Sequence, residues 1–234
     1  LDWVLGCVMD YVNEAVNIDK KLIFVAVPKT GTTSVRKQLR QKGKPFLTYP
    51  HLNILQIRTA IDLFFVAINL CKNKSFPNTK VKSNEQIKLE AEKFFKKSFK
   101  FASVRNPWER AVSLYSRKEG VQVSKNISFE EFIEHHFYAS DTCAIPSLHK
   151  NQFDWLSDEN GELLMDYVFR LEDFSQAIKE IESRTSGRIV LQERIENKNS
   201  DSRSSGYQEI YNSNTKNIIA KRFEKDIDFF KFKF

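Results

Sequence analysis

The stretch Leu22-Ile23-Phe24-Val25-Ala26-Val27-Pro28-Lys29-Thr30-Gly31-Thr32-Thr33-Ser34 decides the fold. Its first six residues are all apolar and of strand length. That pattern marks a strand buried on both faces of a parallel sheet. A tight turn follows, and the spacing predicts a helix over 33–41. A second stretch repeats the order. Residues 99–104 read as a strand, and Arg105-Asn106-Pro107-Trp108-Glu109-Arg110-Ala111-Val112-Ser113 reads as a turn opening a helix. Asn106 caps that helix, Pro107 suits its first position, and Glu109 is expected to complete a capping box. Turns of this kind aim backbone N–H groups, hydroxyls and cations at one point, which suits an anion. Two of them in one chain point to a ligand with two separated anionic groups.

Working outward, residues 46–49 read as a short second strand. A helical pattern runs from just after His51 to about Leu70. Ser83 and Gln86 form a capping box that opens a helix through about Lys97. Ser128 and Glu131 open another, through about Tyr138. Residues 165–171 read as a strand, followed by a helix to about Ser183. Residues 188–191 read as a further short strand, 140–152 and 196–206 as loops, and 214–223 as a terminal helix. Strands separated by helices imply βαβ units: an α/β fold with a central parallel sheet and helices on both faces. The N-terminal apolar positions Val4, Leu5, Val8, Tyr11, Val12, Ala15 and Val16 follow helical spacing, so a packed helix is expected over 3–16. The domain organisation expected is one domain over 1–234, with 1–20 as a helical extension.

The chain has 234 residues, 41% hydrophobic and 29% charged, with 7 Gly and 6 Pro. This is the composition of a folded domain with a sizeable core. A net charge of +7 favours an anionic partner. Residues 72–100 are rich in Lys and read either as a solvated helix face or as an electropositive rim. Cys7, Cys71 and Cys143 are widely spaced, with no metal-ligand pattern, so no metal site is expected. No apolar run reaches the roughly 20 residues of a membrane span.

In the first turn, Gly31 permits positive φ and close backbone approach. Thr30, Thr32, Thr33 and Ser34 add hydroxyls beside a helix start, and Lys29 adds a point charge. This is not a Walker A loop, because Lys29 precedes the only glycine. In the second turn, Arg105 offers a bidentate fork, and Ser113 follows about two helical turns later.

These two turns resemble the 5′-phosphosulfate loop and the 3′-phosphate motif of sulfotransferases that use 3′-phosphoadenosine 5′-phosphosulfate, as found in carbohydrate sulfotransferases and their smaller bacterial relatives. The resemblance extends to His51-Leu52-Asn53-Ile54-Leu55-Gln56-Ile57-Arg58, Gln152-Phe153-Asp154-Trp155-Leu156, Phe169-Arg170-Leu171-Glu172-Asp173-Phe174 and the closing 222–230 segment. It covers roughly residues 22–234. It implies a P-loop-like three-layer fold. It implies that Lys29, Thr30, Gly31, Thr32, Thr33 and Ser34 hold the 5′-phosphosulfate, and that Arg105 and Ser113 hold the 3′-phosphate. The product would be adenosine 3′,5′-bisphosphate. Lys29 would stabilise charge on the leaving phosphate. An acceptor hydroxyl needs a base, and His51, expected at the carboxyl edge of the sheet, is the catalytic candidate. His135 and His136 read as surface or partly packed residues, and His149 as a loop residue. Trp108 reads as packing before adenine contact.

The acceptor implied is a hydroxyl compound, a glycan or glycoconjugate being the expected class. Nucleic acid and a membrane span are not expected, and the sequence is silent on oligomeric state. The compartment expected from the small bacterial members is the cytoplasm, or the Golgi lumen for a trimmed eukaryotic enzyme. Two alternatives stand beside this reading. One is a magnesium-dependent phosphoryl transferase, for which no Walker B acid is visible. The other is a polyanion-binding module carried by the Lys-rich stretch, which gives the two turns no role.

Overall fold

The computed structural model describes residues 9–75, 82–116, 127–136, 150–193 and 206–234. Four strands form one sheet in the order β1 (Val16–Asn17), β2 (Leu22–Val25), β3 (Phe99–Val104) and β4 (Tyr167–Arg170). Strands β2, β3 and β4 run parallel, with Val25 opposite Ala102 and Val104 opposite Arg170. The two-residue β1 is antiparallel to β2, so the sheet is mixed at that edge rather than wholly parallel.

Alternate residues of β2 face opposite layers, as a pleated strand requires. Ile23 and Val25, with Val27 beyond them, pack with Ile57, Ile61 and Phe64 of α2 (Ile54–Ser75) and with Ala91 and Phe95 of α3 (Asn84–Lys97). Leu22, Phe24 and the following Ala26 pack on the other face with Val35 and Leu39 of α1 (Thr32–Leu39) and with Phe174, Ala177 and Ile181 of α7 (Phe174–Arg184). A third cluster joins α4 (Pro107–Tyr115), the short α5 (Phe129–Glu131) with its π-helical continuation Phe132–His136, and α8 (Ser213–Arg222). Two further α-helices, α6 (Phe153–Leu156) and α9 (Glu224–Phe230), and 3₁₀ turns at Leu171–Asp173 and Tyr207–Ile210 are also present. The capping box at Ser83 is present: Gln86 N–H donates to Ser83 Oγ at 3.2 Å and Ser83 N–H donates to Gln86 Oε1 at 3.0 Å.

Four expectations are corrected. The N-terminal helix does not form over the described residues 9–17. Buried Asn13 accepts from Ala15 N–H at 2.9 Å, and Asn17 accepts from Lys20 N–H at 2.9 Å. These local side-chain bonds turn the chain and compete with helix formation. Residues 46–49 join no strand among the described residues. Between Pro45 and Pro50, Phe46 and Leu47 donate to Tyr11 and Val12 carbonyls, each at 2.8 Å, outside the sheet. Residues 188–191 alternate in burial as a strand would, with Ile189 and Leu191 buried and Val190 61% exposed, yet pair with no strand among the described residues. Their alternation reports a layer boundary, not a ladder. Glu109 does not complete a capping box. It is drawn to Arg105 four residues earlier.

The 18-residue window 54–71 of α2 has a mean hydropathy of 1.6, long and apolar enough by length and composition to cross a membrane. Its Ile54, Ile57, Ile61 and Phe64 are nonetheless buried in the domain core. Cys7, Cys143, His149 and residues 196–205 lie outside the described residues.

Candidate functional site

The parallel register brings the ends of β2 and β3 side by side, so both turns leave the sheet at its carboxyl edge, where α/β folds bind ligands. In the first turn Lys29 has φ +68° and Gly31 φ +74°, while Thr30 between them does not cross to positive φ. Alternation of hand turns successive backbone N–H groups toward one side. Gly31 is the N-cap of α1, no side chain caps that helix, and its first turn holds no acidic residue. Ser34 N–H turns back to the Gly31 carbonyl at 3.3 Å, and the Thr32 and Thr33 amides ahead of it suit an anion. A Cβ on Gly31 would lie 2.5 Å from Leu171 Cδ1, so the turn is also pressed against the segment after β4.

Thr30 is fully buried, and its hydroxyl donates to the Val27 carbonyl at 2.9 Å. Ser103 Oγ, on β3, lies 2.9 Å from that hydroxyl and donates to the Thr30 carbonyl at 2.8 Å. The Ser103 hydroxyl thus staples the Thr30 carbonyl of the first turn to β3, while the Thr30 hydroxyl closes the turn on Val27. Thr32 and Ser34 are also largely buried, and Thr33 is half-buried.

At the second turn, Arg105 Nε donates to Glu109 Oε2 at 3.2 Å. Among the described residues, Nη1 and Nη2 carry no hydrogen bond, which leaves the fork for an incoming anion. Ser113 is half-buried, four residues beyond Glu109 on the same helical stripe. Asn106 Oδ1 accepts from Trp108 N–H at 3.1 Å, and its Nδ2 donates to the Lys233 carbonyl at 2.7 Å. Trp108 is buried, its Nε1 donates to the Lys216 carbonyl at 3.0 Å, and its ring meets that of Phe234 edge-on. It packs, as the sequence leads one to expect. His135 is exposed beside Glu134.

Three residues that sequence reasoning left without a role tie the two turns together. Arg110, 4% exposed, donates from Nε to the Pro28 carbonyl at 3.1 Å, joining α4 to the first turn. Gln152 accepts from Arg105 N–H at 2.8 Å and donates to the Arg105 carbonyl at 2.8 Å. Asp226 of α9 accepts from the Gln152 and Phe153 N–H groups at 2.7 and 2.9 Å. Burial pushes the Asp226 carboxyl above the ordinary aspartate value, against those hydrogen bonds and the Arg110 charge, which pull it down. Their segments were visible in the sequence, but no local pattern announces a buried polar partner.

His51 sits beside the first turn. Its Nδ1 lies 2.7 Å from the Ala26 carbonyl, two residues before Pro28. A carbonyl only accepts, so Nδ1 carries the proton and, in the neutral ring, Nε2 carries the lone pair. The residue reaches the carboxyl edge by this bond rather than by following a strand. Leu52 then begins an open apolar groove of about 380 Å³, lined also by Phe46, Leu47, Leu55 and Leu63. Glu172, next to Leu171, is pushed above the ordinary glutamate value by burial, with the Glu109 and Asp173 carboxylates acting in the same direction.

The model of a family described as the sulfotransferase family matches residues 14–233, beginning before the 22–234 span of the motif resemblance. No curated protein matches the chain. No solved structure matches it.

Proposed function

The chain belongs to the sulfotransferase family, a family of sulfuryl-transferring enzymes, and on that premise we propose that its donor is 3′-phosphoadenosine 5′-phosphosulfate and its acceptor a carbohydrate hydroxyl. The observation that carries this reading is the joining of two anion-suited turns at one sheet edge, through Thr30 to Ser103 and Arg110 to Pro28. The donor set fits such a nucleotide. The uncapped start of α1 and Lys29 suit a 5′-phosphosulfate, and the Arg105 fork with the Ser113 hydroxyl suits a 3′-phosphate. Bound there, the nucleotide supplies an activated sulfuryl group and a phosphate leaving group.

The chain's own residues do the rest. Lys29 stabilises negative charge growing on the bridging oxygen side of the leaving phosphate. The α1 amides hold the same charge through oriented dipoles. His51, its Nδ1–H held by the Ala26 carbonyl, presents Nε2 as acceptor for the proton of the attacking hydroxyl. The groove from Leu52 to Leu63 offers apolar walls to the C–H face of a sugar ring.

Titration calorimetry with adenosine 3′,5′-bisphosphate tests the donor assignment. Wild type is expected to bind in the micromolar range, and Arg105→Ala to lose about tenfold or more, as loss of a charge-assisted bidentate contact implies. Absence of binding in wild type overturns the assignment.

A further inference from the structure

We propose that Gln152 and Asp226 are positioning residues that fix the spacing between the two anion-binding turns, and so select ligands with two anionic groups over ligands with one. The proposal rests on the reading above and adds a selectivity mechanism to it.

Both side chains are completely buried. The relay has a fixed polarity. The Asp226 carboxylate accepts from Gln152 N–H at 2.7 Å, Phe153 N–H at 2.9 Å and Gln152 Nε2 at 3.2 Å. Because a peptide N–H only donates and a carbonyl only accepts, the Gln152 amide can meet Arg105 in one sense alone, with its nitrogen toward the Asp226 carboxyl. That orientation puts Gln152 Oε1 on the Arg105 N–H, while Nε2 also reaches the Arg105 carbonyl, each at 2.8 Å. Turning the amide over would set donor against donor at Arg105 N–H and acceptor against acceptor at Asp226. The network therefore has one arrangement. It clamps both polar groups of the residue whose fork takes the 3′-side anion.

The other turn is held in the same frame. Ser103, two residues before Arg105, bonds to Thr30, and Arg110 bonds to Pro28. The α6 helix lacks a side-chain cap of its own at Gln152, and the distant Asp226 supplies acceptors to its first amides. Helix α9 thus acts on the second turn without touching ligand. A ligand spanning both turns gains from a spacing fixed before it binds. A ligand gripped by the first turn alone is indifferent to that spacing.

The test compares adenosine 3′,5′-bisphosphate with adenosine 5′-phosphate by calorimetry on wild type, Asp226→Asn and Gln152→Met. Asp226→Asn places an amide donor where two acceptors are needed. Gln152→Met keeps length and bulk while removing the clamp, and stands in should the first variant fail to fold. Each variant is expected to lower bisphosphate affinity by about tenfold, as loss of a buried hydrogen bond to a charged group implies. The 5′-monophosphate affinity should hold within about twofold, so the selectivity ratio collapses. A parallel fall for both ligands means that the residues serve folding only, and overturns the proposal. Unchanged affinities for both overturn it as well. If wild type itself shows no preference for the bisphosphate, the donor assignment fails first, a result separable from any variant effect.

Discussion

Replacing Gly31 by alanine perturbs the first turn at its tightest point, and the cost divides into two separable parts. Gly31 has φ +74° and ψ +17°, the left-handed region, where an L-residue with a Cβ is strained by about 1 kcal/mol or slightly more. The new Cβ would also come 2.5 Å from Leu171 Cδ1 and 3.4 Å from Cδ2. Carbon atoms in contact prefer about 3.5–4.0 Å, so Leu171 must leave its rotamer or the turn must open. Leu171 is half-buried, and pushing such a side chain off its well costs about 0.5–1.5 kcal/mol. The expected total is about 2 kcal/mol, a factor of about 30 in the folding equilibrium.

Urea unfolding of Gly31→Ala, Leu171→Ala and the double variant measures both parts. In the Leu171→Ala background the clash is gone, and Gly31→Ala should cost only about 1 kcal/mol of backbone strain. An equal cost in both backgrounds would refute the contact. No cost in either would refute the left-handed turn itself, and with it the geometry that directs the amides of the 5′ side.

Four further outcomes are expected. Lys29→Ala should lower kcat by about 10²–10³-fold; retained turnover would reject its role, and unaltered heparin binding in a protein that shows no turnover even as wild type would favour the polyanion-module alternative. With His51 as base, His51→Gln should lower kcat by about a hundredfold while bisphosphate affinity holds within about twofold, and unchanged turnover would reject the assignment. Burial with neighbouring carboxylates raises the Glu172 pKa above 4.5, so the folded state keeps its proton to higher pH than the unfolded state and stability falls as pH rises through that window. Glu172→Gln should therefore withstand more urea than wild type at neutral pH and match it below pH 4.5, where both forms are uncharged. Ser103→Ala should cost about 1–3 kcal/mol in urea unfolding, since the buried Thr30 carbonyl loses its donor.

What the sequence revealed and what it concealed follow from the range over which each feature is encoded. Residues 22–27 announce a buried strand because six consecutive apolar side chains fit a surface covered on both faces. Ser83 with Gln86, and Asn106 with Pro107, announce helix starts because a cap needs only three or four adjacent residues. Periodicity misleads where it is real but not decisive. Val12, Ala15 and Val16 are fully buried, as a helix would bury them, yet the Asn13 side chain accepts from Ala15 N–H and donates to the Tyr49 carbonyl, and turns the chain. Ile189 and Leu191 are buried at strand spacing, yet pattern alone says nothing about whether a partner strand lies alongside.

The candidate site divides along the same line. Lys29, Gly31 and Arg105 stand at turns, and turns have a local code in glycine, proline and capping residues, so they can be found without knowing the fold. The groups that hold them cannot. Gln152 reaches Arg105 across 47 positions, and Asp226 reaches Gln152 across 74. Their types, one amide and one carboxylate, are those expected of solvated surface, and only burial changes their meaning. A desolvated carboxylate left without donors is costly, which is why Asp226 gathers three N–H groups and shares the field of Arg110. Once those donors are fixed, the Arg105 peptide is fixed with them. If the proposed clamp sets the spacing of the two turns, a substitution in α9 should alter which nucleotide binds while leaving Lys29 and the Arg105 fork in place.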